Sequence, residues 1–425
     1  MNNRIYRTQE AKPQVVLMTM QDSDNMSGVS RFIEQHLQAL EAYSSEINVC
    51  SIRFVLNPIR LFPRLTQYSY YNDWEIPLPI RMEEAINHTY WMHAYNEFIF
   101  KYLKDILVPG CILHLNTLNL IDLAVYIQKN IPCRILSHLH CIPWKSYYNS
   151  NRKVFNDLYD RIYNQKGERS ELSRRLQKRP YEMNFYHQAD RIICVTQCAA
   201  DFLHRYMNVP ENKIEVIYNG IANKCGKEIY RQKEPPVLRC LYAGFLLESK
   251  GVHFILDALR IVKKRGYKVE LLVAGHCSER QKNVLLNTWR DIPCQVLGLI
   301  PFNELTNLYK TCDLGIIGSL QEQCSYVALE MMMFGLPVVT TLVDGLGELF
   351  VDGQTALGVG TRFSPILGLS VNTEQMASQI IRMIEEPKLR LQLSHAGRLR
   401  FKENFTQPIM AEQIMKVYRQ LFNTL

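Results

Sequence analysis

The chain has 425 residues, 47% of them hydrophobic and 21% charged, with a formal net charge of +8. That length exceeds what one hydrophobic core ordinarily serves, and the composition excludes a disordered chain or a repeat array. Apolar runs such as Leu314 to Ile317 and Met331 to Thr340 are short or broken by Gly and Pro, far from the roughly 18 residues a membrane span needs.

The opening residues, MNNRIYRTQEAKPQ, hold no apolar signal core, so the expected location is the cytoplasmic side. Val15 to Met20 reads as a buried strand, and Gln21 to Ser27 as a polar loop. Gly28 then opens a helix with Phe32, Ile33, His36, Leu37 and Leu40 on one face. Ile47 to Val55, Cys111 to Asn116, Arg134 to His138 and Arg191 to Thr196 read as further strands, with a helix from Leu118 to Gln128. After Asn219-Gly220 and a polar stretch, the rhythm restarts. Strands at Leu238 to Ala243, Val269 to Ala274, Cys294 to Leu297, Leu314 to Ile317 and Pro337 to Thr341 alternate with helices at Val252 to Lys264, Phe302 to Thr311 and Tyr326 to Phe334. Such alternation predicts an α/β protein of two doubly wound, Rossmann-like domains facing across a cleft, with ligands at the C-terminal ends of the strands. The expected boundaries are 1–218 and 219–407, with a C-terminal helix over 408–425 returning to the first domain.

Twelve cysteines scattered singly through apolar segments read as reduced core residues. Cys194 and Cys198 lack the second pair that a zinc ribbon needs, and His138 with His140 lacks a completing carboxylate. No metal and no cofactor is expected. The stretch from Arg152 to Arg179 is basic, nine cations against four acidic residues between Asn151 and Arg179. It reads either as a solvated helical face or as a surface for an anionic membrane. No nucleic-acid-binding module is recognised.

The strongest chemical signal is Ser319-Leu-Gln-Glu322-Gln-Cys-Ser325-Tyr326-Val327-Ala-Leu-Glu330, followed by Gly335-Leu-Pro337-Val-Val-Thr. A strand leads through a polar loop into a helix stopped sharply by Gly335 and Pro337. The amides of Ser325, Tyr326 and Val327 would face the cleft, where a helix N-terminus binds phosphate. Glu330 lies about one turn further in, within reach of a ribose diol, and Glu322 precedes the helix. This pattern resembles the retaining nucleotide-sugar glycosyltransferases of family 4, which have the two-domain glycosyltransferase B-type fold. Two glutamates separated by seven residues and a Pro-Val-Val-Thr strand are that family's hallmark. The resemblance implies that Glu330 holds the nucleotide ribose and Glu322 the transferred sugar.

Three further elements extend it. Gly244 ends a strand, and Lys250 with Gly251 opens the next helix; a Lys there neutralises a diphosphate leaving group. The family has an Arg after that glycine, where this chain has Phe245. Gly28 matches a glycine-containing loop facing donor and acceptor, whereas Arg31 reads equally as a surface cation. His140 matches a histidine close to the reacting sugar, and His138 reads as packed within the sheet. The resemblance therefore implies catalytic roles for His140, Glu322 and Lys250, with Gly28, Gly244, Lys250, Glu322, Ser325, Tyr326, Val327 and Glu330 around the donor.

The implied activity is sugar transfer from a nucleoside-diphosphate sugar to a saccharide or lipid-linked saccharide, with retention, in polysaccharide or glycolipid assembly. A catalytically impaired partner protein and a nucleotide-sugar epimerase of the same fold are the alternatives. Tyr68, Tyr70, Tyr71, Trp74, Tyr90 and Trp91 are expected on the acceptor side, and Tyr95, Phe98 and Tyr102 in the core. Asp22-Ser-Asp24 resembles a metal-binding pair of the other main glycosyltransferase fold, but stands in the first loop of a two-domain chain.

Overall fold

Apolar strands buried on both faces pair in parallel and need helices above and below. Two such sheets form here. A computed structural model of the chain describes residues 12–21, 28–57, 59–60, 62–79, 89–142, 180–226, 235–364 and 368–424. The first sheet contains β1 (Gln14–Gln21), β2 (Asn48–Leu56), β3 (Arg64–Gln67), β4 (Tyr71–Leu78), β5 (Cys111–Leu115), β6 (Cys133–Leu139), β7 (Arg191–Cys194) and β8 (Ile214–Val216). Its order is β3-β4-β2-β1-β5-β6-β7-β8, parallel except where β3 pairs with β4. The second contains β9 (Leu238–Ala243), β10 (Val269–Ala274), β11 (Cys294–Gly298), β12 (Leu314–Ile317), β13 (Val338–Thr341) and β14 (Leu357–Val359). Its order is β11-β10-β9-β12-β13-β14, all parallel. The order reverses between β1 and β5 in the first sheet and between β9 and β12 in the second, the points at which open α/β sheets bind ligands.

The β3–β4 hairpin falls in the aromatic stretch and puts Tyr71 and Trp74 on β4. Every residue of β3 is exposed, so it carries no alternation from which a strand is legible. The core expectation for Phe98 is corrected. In the helix Thr89–Leu103 the buried stripe runs through Met92, Tyr95, Asn96, Ile99 and Leu103. Phe98 lies off that stripe and is 39% exposed, its ring edge-on to half-buried Tyr102. The side chains of Tyr90 and Trp91 lie outside the described residues, as do Asp22, Asp24 and the stretch from Arg152 to Arg179.

Two chain segments cross between the sheets and pair with each other. Ile221 N donates to Phe405 O at 3.1 Å, and Gln407 N to Ile221 O at 3.0 Å. Gly220 permits this, since a Cβ there would stand 2.5 Å from Thr406 O. The helix Gln407–Phe422 then packs on the first unit. Gln407 Nε2 bonds Gln35 O at 2.7 Å, Arg419 pairs with Glu46 at 2.8 Å, and Tyr418 OH reaches His36 and His114.

Candidate active site

Three loops at the C-terminal ends of β9, β10 and β12 are drawn together by glycines. Gly251 has φ +70°, and a Cβ there would meet Gly318 O at 1.9 Å. Gly275 has φ +155°, and a Cβ would meet Gly244 O at 1.8 Å. Only glycine allows both the backbone conformation and the approach. The Gly251–Gly318 contact places the loop after β9 on the end of β12, and Lys250 Nζ there pairs with Glu322 across the reversal between the two strands. Gly345, after β13, completes the loop by donating to Glu322 O at 3.0 Å.

Ser325 caps the helix Tyr326–Met333, its Oγ accepting from Ala328 N at 3.4 Å. Gly335, at φ +57°, ends the helix in the left-handed conformation. Between them Glu330 is wholly buried. Tyr309 OH donates to its Oε2 at 2.7 Å, and Arg31 from the first unit bonds its Oε1. The Arg31 guanidinium also lies 4.8 Å from the centre of the Tyr326 ring, a favourable cation–π distance. Burial lowers the Arg31 pKa, but Glu330, Tyr309 and Tyr326 together outweigh burial and raise it above its usual value. Burial, with Glu330 adding to it, pushes the Tyr309 hydroxyl well above its usual range.

Sequence reasoning missed both partners of Glu330. Arg31 is no ordinary surface cation, because its guanidinium reaches across 299 residues of sequence into the second unit. Its position three residues after Gly28, at the start of a helix following β1, was the available signal. Tyr309 lies on the helix Phe302–Thr311, where spacing marks only a core residue.

His140 follows β6 directly. Asn116 Nδ2 donates to His114 O at 3.5 Å, which turns Asn116 Oδ1 towards His140 Nε2 at 3.0 Å. The His140 proton therefore belongs on Nε2, and Nδ1 keeps its lone pair. Burial pushes the His140 pKa down to about 3, so the ring stays neutral. His138 is buried in the sheet, its ring stacked 4.4 Å from that of His140.

Gly28 begins its helix with open space where a Cβ would stand, so packing does not demand a glycine there. Gly244 has φ +135°, and Phe245 beyond it is 38% exposed. Among the described residues no group of three or more His, Cys, Asp or Glu is placed to hold a metal ion.

The arrangement sets two carboxylate–cation pairs, Lys250 with Glu322 and Arg31 with Glu330, on the loop and helix that follow β12, and the same architecture recurs among solved structures. Sucrose-phosphate synthase from Thermosynechococcus elongatus superposes with a TM-score of 0.68 at 18% identity, covering 97% of this chain and 100% of that one. Anabaena HepE in complex with UDP-glucose gives 0.61 at 14% identity, covering 96% and 99%. These likenesses define a two-domain B-type glycosyltransferase fold.

The family follows from sequence profiles. The one described as Glycosyltransferase Family 4 matches residues 26–223, and Glycosyl transferases group 1 matches residues 238–386. The chain belongs to the family 4 glycosyltransferases. An uncharacterised glycosyltransferase of Methanocaldococcus jannaschii is 28% identical over 234 residues, which are 55% of this chain and 60% of the relative. The match thus spans less than two thirds of that relative's length.

Proposed function

We propose that this chain transfers a sugar, with retention, from a nucleoside-diphosphate sugar to a saccharide or lipid-linked saccharide. The carrying observation is the meeting of Lys250 and Glu322 across the reversal between β9 and β12, with Glu330 on the adjoining helix. In this reading Glu330 bonds the ribose, the amides of Ser325, Tyr326 and Val327 take the diphosphate, and Gly28 and Gly244 let backbone approach the donor. Lys250 neutralises the leaving group while Glu322 and the Nδ1 lone pair of neutral His140 accept from sugar hydroxyls. The acceptor oxygen bonds the anomeric carbon on the face the diphosphate leaves, the carbon–oxygen bond to the diphosphate breaks, and the acceptor proton passes to the departing phosphate. Positioning and charge stabilisation supply the catalysis.

Residues 219–407 form the donor side in this reading, and residues 1–218 with 408–425 the acceptor side. The finer points are polysaccharide or glycolipid assembly and action beside the cytoplasmic membrane face, with the stretch from Arg152 to Arg179 towards anionic lipid. HepE complexes with UDP and UDP-glucose make uridine donors the first to try.

The test is a thermal-shift screen of UDP, GDP, ADP and dTDP with their common sugars. At 100-fold over Kd a ligand adds about 2.7 kcal/mol of stability. The expected outcome is a rise with one nucleotide that Glu330→Ala abolishes. A second reading, a binding protein that has lost catalysis, is favoured by exposed Phe245, which cannot donate to phosphate. No shift with any of the nucleotides overturns the transferase reading in favour of that one.

A further inference from the structure

Glu322 and Glu330 are each matched by one cation, Lys250 and Arg31 respectively. A nucleoside-diphosphate sugar brings two negative charges and several hydroxyls to the site. Hydroxyls donate to carboxylates, whereas phosphates are repelled by carboxylates and accept from cations. One exchange leaves every group with a partner: the carboxylates accept from hydroxyls and both cations pass to phosphate oxygens. Lys250 alone would cover one of the two phosphate charges.

Arg31 is positioned to cover the other. Its guanidinium lies 4.8 Å from the ring of Tyr326, the first residue of the helix whose N-terminal amides take the diphosphate in the donor reading. Its side chain is 36% exposed while that of Glu330 is fully buried, so of the two partners it is the arginine that solvent reaches. A planar guanidinium also matches two phosphate oxygens at once.

We propose that Arg31 is a diphosphate-binding residue of the donor site, exchanging its bond to Glu330 for the diphosphate when ribose hydroxyls bond that carboxylate. The proposal rests on the donor-binding reading above. It makes the donor a bridge between the two units, since Arg31 comes from the first and Lys250 from the second.

The test compares nucleoside with nucleoside diphosphate in wild type, Arg31→Ala and Arg31→Gln. Uridine, guanosine, adenosine and thymidine, each with its diphosphate, are titrated by ligand-observed NMR. Arg31→Gln keeps a donor for Glu330 without the charge, so it guards against loss of folding. The diphosphate is expected to bind roughly ten- to hundredfold more weakly to both variants, while the nucleoside binds Arg31→Ala as well as wild type or better. Equal losses for nucleoside and diphosphate would mean that Arg31 only supports the fold. Equal gains would mean that it only competes with the ribose. Either result overturns the proposal and leaves the donor reading standing. If wild type binds no diphosphate, the donor reading itself fails.

Discussion

Four imidazoles, those of His36, His114, His138 and His140, pack against one another in the first unit. Tyr418 OH lies 2.9 Å from His36 Nε2 and 2.7 Å from His114 Nδ1, and His114 Nε2 lies 3.1 Å from His138 Nδ1. The single hydroxyl proton serves one histidine, so the other must donate to the oxygen. Burial pushes the pKa of His36 and His140 down to about 3 and holds His114 and His138 well below the ordinary value. All four stay neutral in the fold, whereas an unfolded chain protonates them near pH 6.5, about the ordinary value. The unfolded state therefore binds more protons between about pH 6.5 and pH 3, and stability falls as the pH drops through that window. Urea unfolding at several pH values should show this decline. His36→Leu should make it shallower by up to about 1.4 kcal/mol per pH unit, one proton's worth. An unchanged slope would show that His36 is protonated in the folded protein.

The loop from Gly244 to Gly251 delivers Lys250 only because glycine faces glycine at two places. Adding a methyl group at Gly251 meets Gly318 O at 1.9 Å and forces a left-handed conformation on an L side chain. Strain and overpacking together put the cost of Gly251→Ala at about 2–4 kcal/mol. The denaturation midpoint should fall accordingly, and nucleotide affinity should fall with it because Lys250 moves off the site. A variant with wild-type stability would show that the loop relaxes without strain. Gly244 and Gly251 stand out in the sequence as turn formers beside a strand and a helix. Their partners Gly275 and Gly318 do not, because a close approach between loops leaves no local pattern.

Between the two units, Glu348 of the second caps a helix of the first. Its carboxylate accepts from Gln197 N and Cys198 N at 2.7 Å each and from Tyr218 OH at 2.9 Å. Those amides open the helix Gln197–Met207, where a negative charge is favoured. Thr196 OH reaches Gln323 Oε1 at 2.9 Å beside it, one residue from Glu322. Glu348→Ala should cost about 2 kcal/mol and loosen the pairing of the units, read as a larger radius of gyration in small-angle scattering. If neither stability nor radius changes, the relative placement of the units rests on the Ile221–Phe405 crossing and the final helix instead.

Local pattern alone determined that this chain makes two doubly wound parallel sheets. It also placed Lys250, Glu322, Glu330 and His140 beyond the C-terminal ends of strands. Apolar period, glycine, proline and a serine cap act within a few residues of themselves, so they are legible wherever they occur. The tertiary structure alone decided what those side chains meet. Arg31 on Glu330, Tyr418 among the histidines, and Glu348 on a foreign helix are contacts between elements far apart in the chain. Their formation depends on the angle and distance at which rigid units pack. No periodicity within either unit encodes that relation, and this is why Arg31 reads as a surface cation until the cleft is built around it.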